Sequence, residues 1–187
     1  MTSQSKVRTR IGFAAGLFFV IALAFAGNSF AQTVQISGKV TLKQADGTVT
    51  VDGRPAAKGD EIASGATVQT AKGSSAVVSL GKLGRVEVVE ETSMKLTYTD
   101  SGFAVAMLSQ GRVRLSSSSG VVTTDDGQIT TVGRPRTDFL VDTTCGNTFV
   151  AVKVGRVELR AGSSVKQIAA GGQDAAGTAT PGCTPGQ

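Results

Sequence analysis

Histidine and tryptophan are both missing from the chain. Without histidine the sequence lacks the commonest general base and the commonest metal ligand. It holds only two cysteines, Cys145 and Cys183, too few for a Cys/His zinc site. Aromatic residues are few, and five of the eight Phe fall within the first 31 residues. That leaves Phe103, Phe139, Phe149 and Tyr98 for everything after them. A core beyond residue 31 therefore has to be built from Val, Leu, Ile and Ala, and a deep aromatic-lined pocket is not expected. Basic runs and basic-aromatic interleaving are also absent there, which leaves a nucleic-acid role without support.

The N-terminus has the pattern of a secretory signal. A basic, polar "MTSQSKVRTR" precedes the uncharged "IGFAAGLFFVIALAFAG", and Ser29 and Ala31 supply small residues ahead of a cut between Ala31 and Gln32. An uncleaved membrane anchor is the alternative. The apolar run, Ile11 to Gly27, falls just short of the roughly 18–20 residues that span a bilayer comfortably. Setting aside Lys6, Arg8 and Arg10 leaves 16 basic residues against 14 acidic ones, a net charge of +2, so the high pI mostly describes the leader. The expected division is 1–31 signal, 32–168 a single β domain, and 169–187 a flexible tail rich in Gly, Ala, Pro and Thr. The expected compartment is periplasmic or extracellular, with membrane contact only through an uncleaved leader.

One phrase recurs: "GKVTL" at 38–42, "GTVTV" at 47–51, "GRVEV" at 84–88, "GRVRL" at 111–115 and "GRVEL" at 155–159. Each reads as a half-buried strand entered through a glycine, with its aliphatic residues on one face and its polar residues on the other. In "FVAVKVGRVELR" the aliphatic parity changes at Gly155, which predicts a bulge or sharp bend there. The copies are irregularly spaced, so a fixed-period solenoid is not indicated. Dense turn signals separate the strands ("ADG", "DGRP", "AKGD", "GKLG"), and no window carries a helical stripe, although "GDEIASG" has room for one short turn. The predicted class is all-β, with short strands in an irregular solenoid-like or sandwich-like winding.

Taken in order, "KGDEIASGATVQTAKGSSAVVSL", "GRVEVVEETSMKL", "LSQGRVRL" and "VKVGRVELRAG" with "AAGGQ" resemble the FecR-like domain over about residues 36–173. The matching positions are Gly59, Asp60, Gly65, Thr70, Ser75, Gly84, Ser93 and Leu96, with two further strands at Leu108–Val113 and Val152–Val157. Where the family has "Arg-Gly-Thr-x-Phe-x-Val", this chain has "PRTDFLV". Thr137, Phe139 and Val141 are kept, but Arg136 replaces the glycine. The resemblance implies a periplasmic β-rich module that, in its best understood members, relays a signal from an outer-membrane transporter to a cytoplasmic sigma factor. Only ten residues precede the apolar run here, so a sigma-factor-binding segment is not expected.

Few constellations suggest chemistry. Asp125 with Asp126, and Asp138 with Asp142, could form cation or acid-base pairs, but Asp beside turn residues is favoured for local backbone hydrogen bonds. The first pair is therefore expected in a turn and the second on an exposed strand face. Ser163 and Lys166 match "S-x-x-K" in letters, but strand alternation would put them on opposite faces. No catalytic residue, metal ligand or cofactor is expected. Cys145 and Cys183, in an exported chain, are expected to form a disulfide. Arg112 and Arg114 on one strand, and Arg156 and Arg160 on another, should point outward and would form one polar contact surface if those strands are neighbours. The reading is an exported, non-enzymatic module that contacts a protein or a cell-envelope polymer. Its alternative is a structural β scaffold of the envelope or matrix without a specific ligand.

Overall fold

The alternation of aliphatic and polar residues does produce strands. The computed structural model describes residues 40–133 and 136–185. Its strands are β1 (Thr41–Asp46), β2 (Val49–Val51), β3 (Arg54–Pro55), β4 (Thr67–Thr70), β5 (Ser75–Ser79), β6 (Gly84–Val88), β7 (Thr92–Tyr98) and β8 (Phe103–Met107). They continue as β9 (Arg112–Ser117), β10 (Gly120–Thr123), β11 (Gln128–Thr131), β12 (Thr137–Asp142), β13 (Thr148–Val154), β14 (Arg156–Ala161), β15 (Ser164–Ala169) and β16 (Gln173–Ala176). Among the described residues the only helical piece is a 3-10 turn at Gly81–Leu83, in "GKLG" and not in "GDEIASG". The expected leader, with the expected cleavage pair Ala31 and Gln32, lies outside the described residues.

Two sheets result. Sheet I runs β1-β5-β6-β9-β12-β13-β16, and sheet II runs β15-β14-β11-β10-β8-β7-β4-β2-β3. In sheet I the strand order is the chain order, and in sheet II it is nearly the same order reversed. The chain thus passes back and forth between the sheets while advancing along both. β8 and β10 pair in parallel because β9, which separates them in sequence, belongs to the other sheet. Between the sheets lies one aliphatic core that includes Val86, Val88, Val113, Leu115, Val141 and Val150 from sheet I and Val68, Leu96, Val105, Val122, Val157 and Leu159 from sheet II. Each such side chain stabilises the fold by about 1.5–3 kcal/mol relative to exposure. The architecture is all-β and sandwich-like, as the periodicity predicts.

The recurring phrase now has a structural explanation. Gly47 and Gly155 stand where the chain leaves sheet I for sheet II, and Gly111 stands where it returns. Gly84 instead closes the hairpin between β5 and β6. A side chain is excluded at the three corners because a hydroxyl group already occupies the space, and at Gly84 because the backbone of Ser116 does. A Cβ on Gly47 would lie 2.4 Å from Ser74 Oγ, and one on Gly111 would lie 2.5 Å from Thr92 Oγ1. Those hydroxyls accept the next backbone N–H, Thr48 N to Ser74 Oγ at 2.9 Å and Arg112 N to Thr92 Oγ1 at 2.9 Å. The corners thus satisfy backbone groups that leave one ladder before joining the other. Gly155 combines φ +81° with a position beside the buried Thr137. The predicted bend at Gly155 is therefore a corner between sheets, and the bulge lies just upstream, where Asp138 pairs with Val154 but Phe139 pairs with Val152.

The stretch expected to be a flexible tail from residue 169 requires correction. Gln173–Ala176 forms β16, pairs with β13 along four residues and buries Ala176. Its apolar content is low because backbone hydrogen bonds, rather than side-chain burial, hold it in place. Thr180 N donates to Cys145 O at 2.8 Å, so the segment beyond β16 is also tied to the body.

Candidate functional site

The outward residues of four adjacent sheet I strands form the most feature-rich surface. Strand alternation sends Arg85 and Glu87 of β6, Arg114 and Ser116 of β9, Asp138 and Leu140 of β12, and Ala151 of β13 away from the core. Register places Arg85 beside Ser116 and Asp138, and Glu87 beside Arg114, Leu140 and Ala151. The extra residue of the β13 bulge brings Lys153 onto the same surface. Together they line an open depression of about 530 Å³.

Its charges are unevenly satisfied. Arg114 Nη1 lies 3.4 Å from Glu87 Oε1, and Arg136 Nε lies 3.6 Å from Asp138 Oδ1. Ser116 Oγ donates to Asp138 and accepts from Arg136 Nε. Both carboxylates are thus engaged, whereas Arg85 and Lys153 make no ion pair among the described residues. Arg136, which replaces the glycine of the FecR-like pattern, therefore sits at the rim of this depression.

Two sequence expectations about this region are overturned. Arg112, Arg114, Arg156 and Arg160 do not form one surface, because β9 lies in sheet I and β14 in sheet II. Arg112 is also committed elsewhere, with its Nε 2.9 Å from Asp142 Oδ2. Asp142, expected on an exposed strand face, is fully buried beneath that guanidinium and accepts from Thr144 N at 2.9 Å and Thr144 Oγ1 at 2.6 Å. On sheet II, Arg160 Nη2 meets Glu158 Oε1 at 2.9 Å.

Asp125 and Asp126 lie in the tight β10–β11 connection, where Thr124 N donates to Gly127 O at 2.9 Å. Asp126 Oδ2 accepts from Thr148 Oγ1 at 3.1 Å. Among the described residues no group of three or more His, Cys, Asp or Glu is arranged to hold a metal ion. Lys166 Nζ reaches Asp174 Oδ1 at 2.7 Å, joining β15 of one sheet to β16 of the other. The Lys166 ammonium and the Ala175 N–H both bond the Asp174 carboxylate and hold its pKa below the usual value. The Cys145 and Cys183 sulfurs stand 1.98 Å apart, at disulfide distance. Such a bond suits an oxidising compartment. No helix of the described residues is long and apolar enough to cross a membrane.

Arg85, Ser116, Leu140 and Lys153 were not singled out from sequence, and Arg136 was noted only as a departure from the FecR-like pattern. Alternation alone gives their outward direction, but only the strand order shows that they are neighbours.

No family model matches the chain, and no curated protein does. Among solved structures it is similar to two crystal structures, at 1.65 and 2.50 Å resolution, of a Parabacteroides distasonis ATCC 8503 protein described as a "putative anti-sigma factor". Each aligns with TM-score 0.51 at 18% identity over 64% of this chain, which spans 57% of that protein. At that identity the likeness defines a shared fold.

Proposed function

We propose that the chain is an exported, non-enzymatic FecR-like binding or sensing module, and that its working surface is the outer face of sheet I. The observation that carries this reading is the depression over β6, β9, β12 and β13, where charged side chains surround Leu140 and Ala151. The fold shared with anti-sigma-type structures supports a regulatory or sensing role, and the disulfide-distance cysteines support export. The order of FecR-like motifs in the sequence supports the family.

A second reading keeps the binding role but uses a sheet edge. An extended partner can add a strand to unpaired backbone groups. The free side of β1 is occupied by the segment around Glu61, which bridges Thr41, accepts from Leu42 N through Asp60 O, and donates from Gly59 N and Ile62 N to Leu42 O and Val40 O. β3 is two residues long and ends in Pro55. Among the described residues β15, with six residues and Val165 47% exposed, is the longest edge strand left open.

The test is photocrosslinking in intact cells from single probes at Leu140 on sheet I, Thr130 on sheet II and Val165 on β15. A discrete adduct from Leu140, identified by mass spectrometry and absent from Thr130, is the expected result. An adduct from Val165 alone would select the edge reading. Diffuse adducts from all three would select the scaffold alternative.

A further inference from the structure

The depression on sheet I is polarised, and its polarity specifies an occupant. Four basic side chains, Arg85, Arg114, Arg136 and Lys153, stand on or at the rim of it against two acidic ones, Glu87 and Asp138. Both acids are already bonded within the protein. Arg85 lies in the outer row of β6 and Lys153 in that of β13, with β9 and β12 between them, so the uncommitted cations bracket the surface. The row from Arg85 runs through Ser116 and Asp138, and the adjacent row supplies an aliphatic floor at Leu140 and Ala151. Beside Lys153, Val154 is 42% exposed, although every other valine of β13 is buried.

A β-bulge is a local device for re-aiming a side chain, and here it separates Val154 from the buried parity of Val150 and Val152. Without the bulge, Val154 would continue the buried face. The sequence thus places a cation and an apolar side chain together on the surface, where neither serves the core. Guanidinium and ammonium groups flanking an aliphatic strip match a ligand with carboxylates on both sides of small apolar groups. An extended acidic polypeptide presents that pattern on one face when carboxylate, aliphatic and carboxylate side chains follow one another at every second residue. A sulfated or uronic-acid polymer offers the charge without apolar groups to cover Leu140 and Val154.

From this we infer that the outer face of sheet I binds an acidic, extended segment of a partner protein, with Arg85 and Lys153 holding its carboxylates and Leu140 and Val154 covered by its aliphatic side chains. This inference rests on the proposed role of that face and specifies the ligand class.

The experiment uses the full disulfide-bonded chain and a short Glu-Val peptide in which Glu, Val and Glu recur at every second position with Ser between them, so that both side-chain types share one face of the extended chain. A Lys-Val peptide and heparin serve as comparison probes, with calorimetry for affinity and amide NMR shifts for location. Saturable binding of the Glu-Val peptide, with shifts centred on Ser116, Leu140, Ala151 and Lys153, is expected. Raising the salt should weaken it, since exposed charges are screened beyond about 8–10 Å at physiological ionic strength. Combined Arg85→Ala and Lys153→Ala should raise Kd about tenfold, the loss of two exposed charge-assisted contacts. Arg160→Ala on sheet II should leave it unchanged. Both substituted groups of the double variant are exposed, so its fold and amide spectrum should otherwise persist.

Equal binding of the Lys-Val peptide, shifts confined to β15, or heparin binding at this face without peptide binding would each overturn the inference. If the peptide fails while the Leu140 probe still yields its discrete adduct in cells, the ligand class is wrong and the binding role of the face stands. If both fail, the role of the face falls as well.

Discussion

Arg112 and Asp142 face each other across β9 and β12, Nε to Oδ2 at 2.9 Å, with the carboxylate fully buried and the guanidinium largely covered. A buried charge loses hydration and is tolerated only with a partner, so removing either group leaves the other uncompensated. Asp142→Ala is expected to cost about 3 kcal/mol in urea denaturation. The Arg112→Ala/Asp142→Ala double variant should be less destabilised than the two single losses added together. Strict additivity would show that the pair is not coupled.

Tyr98 is the chain's one tyrosine, and there is no tryptophan, so alkaline absorbance reports this side chain alone. Its hydroxyl donates to Ile62 O, and burial followed by the nearby Glu61 charge raises its pKa. A raised folded-state value means that the neutral phenol stabilises the fold. That contribution is complete below the unfolded value, about 10, and is lost as pH climbs through the folded one. Tyrosinate absorbance should therefore appear at higher pH in the folded protein than in urea. Tyr98→Phe should cost about 1 kcal/mol at neutral pH. A folded titration midpoint at or below that in urea would contradict this.

The glycines should differ in a way that separates close packing from backbone preference. Gly84 has φ +130°, and a Cβ there would lie 2.1 Å from Ser116 O, a backbone atom that cannot step aside. Gly162 has φ +56° with open space around it. Gly162→Ala should cost about 1 kcal/mol, the left-handed penalty alone. Gly84→Ala should cost about 3 kcal/mol or more, with shifted amide resonances in both β6 and β9. Equal losses would mean that the hairpin backbone relaxes freely.

Cys145 and Cys183 are 38 residues apart in sequence, and the bond between them joins the β12–β13 connection to the segment following β16. Closing a loop of that size should stabilise the fold by about 4 kcal/mol in the chain-entropy model. Reduction should lower Tm and raise proteolytic sensitivity first beyond β16. Two titratable thiols in oxidised, purified protein would contradict the pairing.

How much of this is legible in the sequence depends on which physical term sets each feature. Strands such as "GRVEV" and "GRVRL" are legible because core burial imposes a period of two, and Val86, Val88, Val113 and Leu115 are all buried as that period requires. The corner at Gly155 is legible as a change of parity. Alternation gives inside or outside without saying which sheet, so it cannot show that Arg114 and Arg156 lie on different sheets. Nor can it show that Asp142, outward by parity, is covered by a long side chain from the next strand. β16 is hidden because backbone pairing holds "QDAA" in place, and composition does not register backbone pairing. Lys153 enters the candidate site through a bulge, a one-residue irregularity without a signature in "VAVKVG".

The central claim, that the outer face of sheet I is the working surface, is tested most directly by hydrogen–deuterium exchange of the full chain alone and with its crosslink-identified partner. Protection is expected in β6, β9, β12 and β13, centred on Leu140 and Lys153, with β14 and β15 unchanged. Protection of β15 or sheet II that leaves those four strands unaltered would contradict the account.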